Sequence, residues 1–102
     1  MKLWLDDLRP HPKEFTRAYS AGEAIRILQT GEVTFASLDY DILWDAYGDP
    51  ENWQDTKTGY AVVAWMAEHN VWPRDGVAVH SANKAGRERM IALIPEIYRR
   101  KA

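Results

Sequence analysis

Val33-Thr34-Phe35-Ala36-Ser37-Leu38-Asp39-Tyr40-Asp41 is a run of apolar and small residues that stops on two carboxylates. Its first six positions carry no charge, the pattern of a strand covered on both sides near the centre of a parallel sheet. Two other runs share the plan: Lys2 to Leu5 ends on Asp6 and Asp7, and Val77 to Val79 ends on His80-Ser81-Ala82-Asn83. If the three lie side by side and parallel, their polar endings converge on one edge of one sheet, where open α/β folds place their active sites.

Working outward, Phe15 to Tyr19 is β-rich and reads as a further strand after a loop that Pro10 and Pro12 keep from being helical. Ser20 and Glu23 have capping-box spacing, so a helix starts there, with Ala21, Ala24, Ile25 and Leu28 as its buried stripe and Gly31 at its end. Thr58-Gly59 opens a second helix whose apolar surface is Val62, Val63, Trp65 and Met66, with Asn70 near the stop and Pro73 beyond it. Gly76 to His80 is the fourth strand. Lys84 to about Arg99 is a final helix facing Met90, Ile91, Ile94, Ile97 and Tyr98 inward, with a kink or restart at Pro95. Strands alternating with helices predict right-handed crossovers, a parallel sheet of about four strands and helices on both faces, an α/β three-layer sandwich. Residues 42–57 break every periodic pattern and hold Trp44, Tyr47 and Trp53 among four acids; they read as a long loop serving as a lid over the strand edge.

The 102 residues fit one domain spanning 1–102. Thirteen basic against fifteen acidic residues, a formal net charge of -2, argue against an electrostatic grip on extended nucleic acid or on anionic membrane. The chain has no cysteine, which excludes disulfides, thiolate metal sites and cysteine nucleophiles. No apolar stretch reaches the roughly 20 residues of a membrane span, and Met1 to Leu5 is too short for a signal-peptide core. The expectation is a soluble cytoplasmic protein.

Adjacent aspartates at a strand end cannot both point into a core, and a buried unpaired carboxylate is costly. Asp6, Asp7 and Asp39 are therefore the metal candidates, offering the hard oxygen ligands that Mg²⁺ takes alongside waters and phosphate oxygens. The plainer alternative is that Asp6 and Asp7 cap a turn and pair with Arg9. His80-Ser81-Ala82-Asn83 gathers donors at a helix N-terminus that already favours phosphate, so Ser81 and Asn83 are candidate phosphate ligands and His80 a candidate acid or base. The plainer alternative is a helix cap and a satisfied, partly buried histidine. Arg9 and Arg87 fall near the same edge, and either could clamp a phosphate. His11 and His69 receive no role.

Leu3-Trp4-Leu5-Asp6-Asp7-Leu8-Arg9-Pro10, Ser37 to Asp41, Thr58-Gly59-Tyr60 and Val79-His80-Ser81-Ala82-Asn83, followed by Gly86 and Met90, occur in this order. Together they make the chain resemble the cyclic-phosphate-processing receiver-like family, a reduced relative of the response-regulator receiver domain with a flavodoxin-like fold. The resemblance implies Mg²⁺ on Asp6 and Asp7, a phosphoryl-accepting role for Asp39 and a hydroxyl sensor at Ser81. Two departures from an ordinary receiver weaken phosphorelay signalling as a reading: prolines stand where the first receiver helix would begin, and no fifth strand is expected to carry the receiver's phosphate-contacting lysine. Tyr40 stands where the family pattern has a histidine; if that histidine supplies acid-base chemistry, the resemblance implies a member that is impaired, altered in substrate or dependent on His80, with Tyr40 left as a hydrogen-bond donor. The leading expectation is a Mg²⁺-dependent phosphoesterase-like domain that opens a cyclic phosphate on a nucleotide or RNA end. Asp39 and His80 would be catalytic, and Arg9, Tyr40, Ser81, Asn83 and Arg87 would bind phosphate. The alternatives are a non-catalytic receiver-like module that binds a partner protein or nucleotide, and a phosphoacceptor domain using Asp39.

Overall fold

The computed structural model describes residues 1–42 and 58–102. In chain order the elements are β1 (Lys2–Leu5), β2 (Phe15–Ala18), α1 (Ala21–Leu28), β3 (Phe35–Leu38), α2 (Gly59–His69), β4 (Val77–Val79), α3 (Lys84–Leu93), a 3-10 turn (Glu96–Tyr98) and β5 (Arg99–Arg100). The sheet runs β2-β1-β3-β4-β5 with every pair parallel. This is the α/β receiver-like arrangement expected, with one strand more than the four read from the sequence. The lid assigned to residues 42–57 falls outside the described residues except for Ile42, which is buried.

Register decides which side chains share a face. Leu5 lies opposite Ala18 and Leu38, and Leu38 opposite Val79; one step back, Trp4 lies opposite Arg17 and Ser37. The first set, with Leu3, Ala36 and Val77, is fully buried beneath Ala24 and Leu28 of α1, Val62, Val63 and Met66 of α2, and Met90 of α3. Each large aliphatic side chain buried this way contributes about 1.5–3 kcal/mol. The helices lie side by side, α1 against α2 and α2 against α3.

The other face of the sheet carries Lys2, Trp4, Phe15, Arg17, Phe35 and Ser37, and no described helix covers it. Phe15 meets Trp4 edge-on at 5.5 Å and Phe35 at 6.0 Å, with the Lys2 ammonium 5.6 Å from its ring centre. Among the described residues the helices thus lie on one face, where the sequence led to an expectation of both, for a topological reason. The steps from β2 to β3, β3 to β4 and β4 to β5 all move the same way across the sheet, so right-handed crossovers put their helices on one side. Only the step from β1 to β2 runs the other way, and its connection, with Pro10 and Pro12, contains no helix.

The first helix begins as its sequence predicts: the Ser20 hydroxyl accepts from the Glu23 amide at 3.1 Å, and the Glu23 carboxylate accepts from the Tyr19 amide at 2.7 Å. Asn70 ends α2 in the left-handed conformation, φ 54°. The final helix is shorter than expected. The residue before a proline is driven out of the helical region, and Ile94, with ψ 126°, closes α3. The 3-10 turn then shifts the phase: Ile94 is buried, but Ile97 is 75% exposed rather than inward-facing. The chain leaves that turn to pair with β4 as β5, so the expected lack of a fifth strand is also corrected; exposed Lys101 follows it. No helix among the described residues is long and apolar enough to cross a membrane.

Candidate functional site

Three parallel strands end together because backbone bonds hold their last residues level. The Asp39 amide donates to the Leu5 carbonyl at 3.0 Å, the His80 amide to the Leu38 carbonyl at 2.9 Å, and the Asp6 amide to the Ala18 carbonyl at 3.2 Å. Asp6, Asp39 and His80 therefore converge, each offering a ligand atom within 4.8 Å of the others. They meet beside an open cavity of about 270 Å³ lined by Asp6, Leu8, Arg9, Asp39, Asp41 and Ala82.

Asp6 is 1% exposed and fully employed. One carboxylate oxygen accepts from the amides of Leu8 and Arg9, both at 2.9 Å, which folds the turn after β1; the other meets His80 Nε2 at 3.1 Å. Turn capping is therefore real for Asp6, and it coexists with the convergence. Asp7, its neighbour, is not part of the converging group.

His80 lies flat on Trp4, ring centres 4.0 Å apart, and its Nδ1 is 2.7 Å from the Ser37 hydroxyl. Burial pushes the imidazole below its ordinary pKa, against the hydrogen bond and charge of Asp6, which raise it. A neutral ring facing a carboxylate must carry its hydrogen on Nε2, so Nδ1 accepts from Ser37. Asp39 is displaced the opposite way: burial foremost raises its pKa, the Asp6 charge adds to this, and a hydrogen bond from Ser81 opposes it.

Arg9 reaches back over this edge and donates from Nη1 to the His80 carbonyl at 2.7 Å. Arg17 donates to the carbonyls of Asp6 and Arg9 and so steadies the same turn. Of the expected phosphate ligands, Arg9 lines the cavity. Ser81 is buried, accepting from the Asn83 amide while bonded to Asp39, and Asn83 caps α3 by accepting from the Gly86 amide at 2.9 Å. Arg87 sits in the first turn of α3 and does not line the cavity. Tyr40 turns toward α3: its ring lies on Gly86, where an added Cβ would stand 2.4 Å from Cγ, and its hydroxyl is 3.3 Å from Arg89 Nη1.

Ser37 and Asp41 have roles here that the sequence did not assign. A hydroxyl set between Ala36 and Leu38 in a strand read as covered on both sides was the available signal for Ser37, since a buried hydroxyl needs a partner. Asp41, exposed at the rim, was visible only as one more acid after β3.

A parallel sheet in this order, with acids at the ends of β1 and β3, is a receiver-like arrangement. A family model described as the cyclic-phosphate processing receiver domain matches residues 1–96, and the chain belongs to that family. No curated protein matches it.

Proposed function

We propose that the chain is a metal-dependent phosphoesterase-like domain that opens a cyclic phosphate on a nucleotide or RNA end. The observation that carries this is the meeting of the Asp6, Asp39 and His80 donor atoms beside a cavity rimmed by Arg9. The receiver precedent points to Mg²⁺ as the cation. Asp6 and Asp39 would hold it, and it would supply charge stabilisation at phosphoryl oxygens. Arg9 would grip a phosphate oxygen, and Asp39 would stand at the reacting phosphorus as base or nucleophile. His80, engaged at both ring nitrogens, fits a role in holding Asp6 better than direct proton transfer to substrate. The cysteine-free composition fits a reducing cytoplasm.

The test is incubation of the purified protein with a divalent cation and a panel of cyclic-phosphate nucleotides and RNA ends, beside Asp39→Asn. Turnover that EDTA and the substitution both abolish supports the proposal. Absence of turnover on the whole panel, together with tight binding of a nucleotide or protein, overturns it in favour of a binding module. Stable labelling of Asp39 by acetyl phosphate would establish a phosphoacceptor instead.

A further inference from the structure

The donor set at this edge is two carboxylates and one imidazole, and the imidazole is the informative member. Mg²⁺ is a hard cation that takes oxygen ligands and retains its waters, whereas imidazole suits first-row transition metals. The His80 ring is also held as a ligand would be. Trp4 supports one face at 4.0 Å, and Ser37, 4% exposed on β3, meets Nδ1 at 2.7 Å while Nε2 points at the Asp6 carboxylate.

We propose that the cation taken here is a first-row transition-metal dication in preference to Mg²⁺, with His80 Nε2 as nitrogen ligand beside Asp6 and Asp39, and Ser37 as the residue that positions the ring. This rests on the divalent-cation part of the proposed function. Metal-binding histidines donate their second ring N–H to a fixed partner, which sets tautomer and orientation. Ser37 is suited to this because a hydroxyl both donates and accepts. Without metal, Nε2–H donates to Asp6 and the Ser37 hydroxyl donates to Nδ1. With metal, the ring stays neutral: Nε2 gives its proton to solvent, Nδ1 gains one, and the Ser37 oxygen accepts from the new N–H by turning its own hydrogen away. A carboxylate at Ser37's place would hold the proton on Nδ1 permanently, and a backbone amide there would exclude it.

The experiment titrates metal-free protein with Mg²⁺ and Co²⁺ by calorimetry and follows the His80 ring by ¹⁵N NMR with diamagnetic Zn²⁺. Oxygen-only sites also favour Co²⁺ over Mg²⁺ to some degree, so the substitutions and the tautomer decide. His80→Gln is expected to remove at least tenfold of Co²⁺ affinity and to weaken Mg²⁺ by much less, since Mg²⁺ loses only the support that His80 gives Asp6. Ser37→Ala should weaken Co²⁺ about tenfold, the low end of the range for such supporting partners, and Ser37→Thr should restore it. Zn²⁺ should move the His80 proton from Nε2 to Nδ1. Unchanged Co²⁺ affinity in His80→Gln, or a tautomer that does not move, overturns the proposal; the NMR readout on the unmodified protein decides if the variants do not fold. Equal Mg²⁺ and Co²⁺ binding with cyclic-phosphate turnover would sink this inference and spare the phosphoesterase reading. Co²⁺ held through His80 without turnover would do the reverse.

Discussion

Asp39 shows what the site costs at the level of one side chain. Burial works against its charge, the neighbouring Asp6 adds repulsion, and Ser81 and Arg9 offset only part of this. A carboxyl whose folded pKa lies above its ordinary 3.8 favours the fold most below that value, and the advantage is lost as pH rises through the folded pKa. At pH 7, in chelator, the charged Asp39 therefore works against folding. Asp39→Asn removes the charge at nearly constant volume and is expected to raise the Tm at pH 7. The gain should shrink toward nothing as pH falls below about 4, where the unfolded carboxyl is also protonated. Thermal melts of both proteins from pH 3.5 to 7.5 check the sign. A gain that grows as the solution is acidified would contradict this account.

Among the elements, α2 is the one whose seat limits sequence most sharply. Its first residue, Gly59, runs against the end of β3: an added Cβ would lie 1.8 Å from the Asp39 carbonyl oxygen and 2.8 Å from the carbonyl carbon. Backbone cannot swing aside as a side chain can, so Gly59→Ala is expected to cost about 1–3 kcal/mol and to displace Asp39, weakening cation affinity with it. Gly22→Ala is the matched control. A Cβ there meets only the Ser20 hydroxyl, at 4.0 Å within helix α1, and alanine should stabilise by about 0.5–1 kcal/mol. Urea denaturation of the two variants separates them by sign. Thr58-Gly59 was legible as a helix start, but not the reason for its glycine, because that reason is a carbonyl 20 positions earlier in the chain. Strand ends, the α1 cap and the three polar clusters were legible because each is a local pattern of period or termination. Ser37, β5 and the exposure of Ile97 were not, because they follow from register across strands and from a phase shift after Pro95.

At the scale of the whole molecule, the described helices lie on one side of the sheet because the β1–β2 connection is the only step that turns back, and it carries no helix. The other side is held by rings packed on edge. Phe15 touches both Trp4 and Phe35, and aromatic pairs of this kind contribute about 0.5–1.5 kcal/mol each beyond burial. Phe15→Ala is expected to cost about 2–3 kcal/mol in urea unfolding, against less than about 0.5 for Ile97→Ala at an exposed position. Equal costs for the two would mean that the ring cluster adds nothing to stability. The contact between Asp6 and His80 joins residues 74 positions apart, and this has a consequence for the making of the protein. While a ribosome has released only the first half of the chain, Asp6 and Asp39 exist but the imidazole that meets Asp6 does not. A nascent or truncated chain thus carries its acids without the assembled centre, and any capacity to hold a cation there arrives only when the fourth strand docks.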